Sequence, residues 1–140
     1  MKKNNQPFSR PRGVKLAFTG SFNSFLVHKG KFFGSLKQTE KWHEINEVPG
    51  TLTTSCIPDE KGLYAVSVKF RVALADESTT NELNRYTNNK LVMRYTSAAG
   101  LGRLLGTKEN PLRFTFSEVE GFDGYECTLT GMQKVPESFI

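Results

Sequence analysis

Apolar side chains recur at every second position through most of this chain, which is the period of a strand with one face in a core. Val14, Leu16 and Phe18 alternate up to Gly20-Ser21, and Phe25 and Val27 lead into a His28-Lys29-Gly30-Lys31 turn before Phe32-Phe33. That pattern predicts a strand, a bend and a hairpin. Leu52, Thr54 and Cys56 then alternate up to Pro58-Asp59-Glu60-Lys61-Gly62, and Tyr64, Val66, Val68, Phe70, Val72 and Leu74 alternate away from it. A second hairpin with one long strand is expected there. Leu91, Met93 and Tyr95 begin another strand that ends at Ala98-Ala99-Gly100-Leu101-Gly102, and Arg103 to Gly106 reads as a brief strand stopped before Pro111. The last predicted pair is Leu112, Phe114 and Phe116 with Tyr125, Cys127 and Leu129, joined around Gly121-Phe122-Asp123-Gly124, where Asp-Gly is a hairpin-turn dipeptide.

One stretch has the helical period instead. From Ser78 to Lys90, Leu83, Tyr86 and Lys90 share a face, and Thr79 followed by Glu82 forms a capping-box pattern. The residues from Leu36 to Val48, with Trp42 in their middle, fit either an irregular strand or a short helix. Evenly spaced strands with one helix among them predict a mainly β protein, an antiparallel β-sandwich or barrel with one short flanking helix. At 140 residues the chain has room for one domain of ordinary size. Residues 1–13, with two prolines, a glycine, four positive charges and Phe8 as their apolar anchor, read as an extended arm, leaving 14–140 as the domain.

Charge adds direction to this picture. Residues 1–15 carry Lys2, Lys3, Arg10, Arg12 and Lys15 and no acid, and the remaining 14 basic side chains balance the 14 acidic ones. Lys29, Lys31, Lys37 and Lys41 form a second basic cluster. From Phe114 to the end, Glu118, Glu120, Asp123, Glu126 and Glu137 face Lys134 alone. Segregation of this kind steers association with a polyanion, or lets the basic part of one copy meet the acidic part of another. The candidate partner or polyanion site is therefore Lys2, Lys3, Phe8, Arg10, Arg12 and Lys15, with Glu118, Glu120, Asp123 and Glu126 as the acidic counter-surface.

Chemistry-bearing patterns are sparse. Cys56 and Cys127 lie far apart with no C-x-x-C, so neither a disulfide framework nor a zinc site is expected, and both read as buried thiols. The run from Gly100 to Gly106 has the wrong spacing and context for a phosphate loop. His28 and His43 lack companion ligands and a nucleophile to activate, while Asp59 and Asp123 sit where their side chains would cap turn backbone. No enzyme activity, catalytic residue, metal, cofactor or small-molecule substrate is expected. The longest unbroken apolar runs are four residues, well short of the roughly 20 of a membrane helix, and the start Met1-Lys2-Lys3-Asn4-Asn5-Gln6-Pro7 lacks the apolar core of an export signal. No membrane association is expected, and synthesis in the cytoplasm is.

The last third contains Leu104-Leu105-Gly106-Thr107, Pro111-Leu112-Arg113-Phe114, the Gly121-Phe122-Asp123-Gly124-Tyr125 hairpin and a terminal Ser138-Phe139-Ile140. It resembles small virion structural proteins of Bacteroidetes-type phages and prophages. The resemblance implies a tail, tail-tube or head-to-tail connector subunit, made in the host cytoplasm and assembled into the virion with copies of itself and neighbouring virion proteins. The alternative expectation is a nucleic-acid-binding OB-like module, in which the arm binds phosphate and Phe18, Phe22, Phe25 and Trp42 supply stacking surfaces.

Overall fold

The computed structural model describes residues 10–140, and Lys2, Lys3 and Phe8 lie outside them. The protein is mainly β, with 54% of the described residues in strands and 8% helical. Its strands are β1 (Arg12–Phe18), β2 (Phe22–His28), β3 (Lys31–Leu36), β4 (His43–Glu44), β5 (Thr53–Pro58), β6 (Tyr64–Ala73), β7 (Leu91–Thr96), β8 (Gly102–Leu105), β9 (Arg113–Val119), β10 (Phe122–Gln133) and β11 (Ser138–Phe139), with helix α1 (Glu77–Asn84) between β6 and β7. They form a seven-stranded sheet in the order β2-β3-β11-β8-β7-β1-β4 and a four-stranded sheet in the order β5-β6-β10-β9. All pairings are antiparallel except the short contact of β11 with β3.

The two sheets face each other across the main core. Leu16, Met93 and Leu105 from the large sheet meet Val68, Phe70, Phe114 and Cys127 from the small one, and Leu83 and Tyr86 close one side. Strands β1, β7 and β8 are buried on their other face too. Ala17, Val92 and Leu104 point away from the main core into a second cluster with Phe22, Phe25, Phe32, Leu36 and Trp42. The chain order explains why. The three-residue 3-10 turn Thr19–Ser21 joins β1 to β2, yet these strands stand at distant places in the large sheet. A connection that short requires the sheet to curl, so that the β2–β3 hairpin closes over the back of β1 and β7 as a half-barrel around the Phe22 cluster.

The long strand stands as expected, with Val66, Val68, Phe70 and Val72 buried, but the alternation stops at Ala73. Leu74 has φ +71° and a half-exposed side chain. Lys29 and Gly30 both have positive φ, the geometry of a two-residue turn that matches strand twist. Three expectations need correction. The helix is capped by Asp76, whose Oδ1 accepts from the Thr79 amide at 2.8 Å, and it ends at Asn84 rather than Lys90. An aspartate in the extended conformation just ahead of the first turn outcompetes Thr79 because its carboxylate also answers the positive end of the helix dipole.

The second correction concerns Asp123-Gly124, which lie inside β10 at a register shift; the loop between β9 and β10 is Glu120-Gly121. Gly124 is needed for close approach, since a Cβ there would lie 2.2 Å from the Val72 carbonyl oxygen. The third concerns the arm boundary. Strand β1 starts at Arg12, because Glu47 accepts hydrogen bonds from the Gly13 and Val14 amides at 2.9 and 3.2 Å and draws the chain into the sheet early. The ambiguous stretch resolves into the two-residue strand β4, which pairs with Lys15 and Leu16. Cys127 is fully buried, whereas Cys56, on the outermost strand of the small sheet, is only half-buried.

Candidate functional site

Two surfaces carry most of the chemistry. The first is a basic groove on the concave side of the large sheet. Lys15 stands directly across from Arg94 on one neighbour and Glu44 on the other, and with Arg12 these residues line an open groove of about 430 Å³. The Arg94 guanidinium lies 5.4 Å from the centre of the Trp42 ring, which packs edge-on against Phe22 at 5.6 Å. Arg10 lies nearby against Gly50, and the Arg12 guanidinium donates to the Arg10 carbonyl at 3.1 Å. The structure thus brings Arg12 and Lys15 together and adds Arg94. Arg94 was missed because the Leu91–Tyr95 alternation marks it simply as an outward position.

The four acidic residues do not all share one surface: Glu118, Glu120 and Asp123 gather at the β9–β10 end and Glu126 stands apart. Glu118 stands across from the inward-facing Tyr125, whereas Glu126 stands across from Ser117 and Arg71 on the outer face of the small sheet. Glu120 is in the tight loop. Asp123 accepts from the Ala75 amide at 3.2 Å, so it caps a distant segment rather than its own turn. Asp59 does behave as a turn cap, accepting from the Lys61 and Leu63 amides at 2.8 and 2.9 Å.

The second surface has no basis in the sequence reading. The face of the large sheet that forms the main core over β1, β7 and β8 continues over β11, β3 and β2 past the reach of the small sheet. There Leu26, Phe33 and Phe139 are 57%, 50% and 44% exposed. Leu26 is directly across from Phe33, and Phe139 is across from Lys31, so they share that face. Cations overlie the rings: the Lys31 ammonium is 5.7 Å from Phe33 and the Arg103 guanidinium 4.1 Å from Phe139. Two adjacent phenylalanines, Phe32-Phe33, announce that one points each way, but choosing the bare face requires knowing where the small sheet ends.

Arg103 also anchors the last strand. It pairs with Glu137 at 2.7 Å and donates to the Glu137 and Ser138 carbonyls, while the Tyr95 hydroxyl donates to the Glu137 carboxylate. Burial and the neighbouring carboxylate raise the pKa of Tyr95, and burial raises that of Cys56 beside it. Both groups stay protonated at neutral pH, so this cluster ties β11 down and offers no ready nucleophile. Burial likewise pushes Cys127 up to about 12.

No family model, curated protein or solved structure matches the chain. His43 is packed between Phe18 and Tyr86 at 5.5 and 6.0 Å. Burial, together with Arg85 and Lys41, holds its pKa below the ordinary value. Among the described residues no group of three or more His, Cys, Asp or Glu side chains is placed to hold a metal ion.

Proposed function

We propose that the protein is a non-enzymatic structural subunit of a phage virion, of the tail, tail-tube or head-to-tail connector class, which assembles into a ring or tube with copies of itself. The observation that carries this reading is the bare half of the large sheet. A two-layer β core that leaves Leu26, Phe33 and Phe139 exposed on one continuous sheet face has an apolar surface made to be covered. The resemblance of the last third to virion structural proteins supplies the class of assembly, and the segregated charge supplies its orientation. Sedimentation and electron microscopy of the full chain at high concentration, alone and mixed with other virion components, test it. Rings, tubes or discrete oligomers are expected, and a strictly monomeric species under all of these conditions overturns it.

The Arg94–Trp42 pair beside Arg12 and Lys15 favours one second reading, a groove for single-stranded nucleic acid. It requires affinity that falls steeply with salt and weakens when Arg94 and Lys15 are replaced by glutamine. Absence of binding at low salt removes it.

A further inference from the structure

We infer that the covering partner of the bare apolar face is the Leu74 end of a second copy, in a head-to-tail contact. This rests on the self-assembly reading above and names the two surfaces that meet. Leu74 is the only residue of its sequence neighbourhood whose placement works against a monomer: it holds a positive φ of 71°, where side chains other than glycine are strained, and still exposes 56% of its surface. The position is fixed rather than frayed. The Leu74 amide donates to the Asp123 carbonyl at 2.7 Å and the next amide, of Ala75, donates to the Asp123 carboxylate. The result is an apolar knob held up on a locked backbone, with Asp123, Glu120 and Glu118 on the adjoining β9–β10 end and Glu77 three residues on.

The bare face has the opposite character. Leu26, Phe33 and Phe139 form its apolar centre, Lys31 shares their face with Lys29 in the adjoining β2–β3 turn, and the Arg103 guanidinium over Phe139 is already paired with Glu137. An apolar knob with acids fits an apolar face with cations, and the charges orient the approach. The two surfaces also lie at opposite ends of the molecule. Glu137, two residues before Phe139 in the chain, is beside Cys56, which pairs with Val66, and Leu74 is eight residues further along the β6 direction, about 26 Å at strand rise. Two different surfaces on opposite ends make a heterologous contact, which propagates from copy to copy and closes into a ring or continues as a filament.

The experiment uses the full chain with two variants. Leu74→Gly removes the knob while relieving the positive φ, so the monomer keeps or gains thermal stability. The double variant Leu26→Ser/Phe33→Ser removes the apolar centre at half-exposed positions. Sedimentation velocity over a concentration series is expected to show association of the wild type and at least tenfold weaker association of each variant alone. Mixed together, the two variants are expected to form one heterodimer that does not grow, because each retains the surface the other lacks. Wild-type assembly that both variants reproduce overturns this contact and leaves self-assembly standing. Loss of assembly in both variants without a heterodimer on mixing also overturns it, since the two surfaces then do not meet each other. A wild type that stays monomeric overturns the contact and the self-assembly reading together.

Discussion

Gln133 is the most informative position for testing how the two sheets are joined. Its side chain is 1% exposed, its Oε1 accepts from the Gly106 amide at 2.8 Å, and its Nε2 donates to the Val135 and Pro136 carbonyls at 2.8 and 3.3 Å. One amide thereby connects the end of β8 in the large sheet to the end of β10 in the small one and to the segment that leads into β11. Gln133→Leu keeps the volume and removes all three hydrogen bonds. Leaving the Gly106 N–H buried and unpaired costs about 1 to 3 kcal/mol, and the two carbonyls about 0.5 to 1.5 kcal/mol each. Burying the leucine returns part of this, about 1.5 to 3 kcal/mol at most. The net expectation is a destabilisation of about 2 kcal/mol, or a fall in Tm of roughly 5 to 10 °C for a domain of this size. Urea denaturation with an unchanged m-value measures the loss, and amide exchange locates it, with Gly106 and the last strand opening more often than the β6–β10 ladder. If Gln133→Leu lies within about 0.5 kcal/mol of wild type with Gly106 protection intact, the hydrogen bonds are not what joins the sheets and packing alone explains the site.

Phe70→Ala, at a fully buried position facing the large sheet, should cost about 3 to 5 kcal/mol in the same denaturation assay, and a loss below about 1 kcal/mol would contradict the face assignment of the long strand. The two glycines of the β9–β10 region should rank oppositely to a turn at Asp123-Gly124. Gly121→Ala meets no atom within 4 Å and should cost about 1 kcal/mol for its positive φ, whereas Gly124→Ala drives a Cβ into the Val72 carbonyl and should cost about 2 to 3 kcal/mol. For His43 the lowered pKa means that the unfolded chain takes up a proton first as pH falls below about 6.5. Its contribution to stability is complete above that pH and lost as pH drops toward the folded pKa, so a thermal-melt series from pH 7.5 to 5.5 should slope downward more for wild type than for His43→Asn. Equal slopes would mean that His43 is not held neutral by its aromatic and cationic neighbours.

The sequence by itself determined the strand-rich class, most strand positions and the inward residues of the long strand, because a two-residue alternation is a local signal with a single physical cause. Val66, Val68, Phe70, Cys127 and Leu129 all point inward as their period requires. It also located helix α1 and the inward Leu83 and Tyr86, though not the cap, since Asp76 and Thr79 are both good capping residues and the choice depends on where the chain leaves β6. Tertiary structure decided everything that depends on which strands become neighbours. Alternation fixes two faces on a strand but not what covers each, so the double burial of β1, β7 and β8, the bare face at Leu26, Phe33 and Phe139, and the pairing of Lys15 with Arg94 follow only from the curled strand order. The same holds for Asp-Gly. A dipeptide suited to a turn becomes a bulge when the opposite strand approaches so closely that only glycine fits, and that approach is set by residues some 50 positions earlier in the chain.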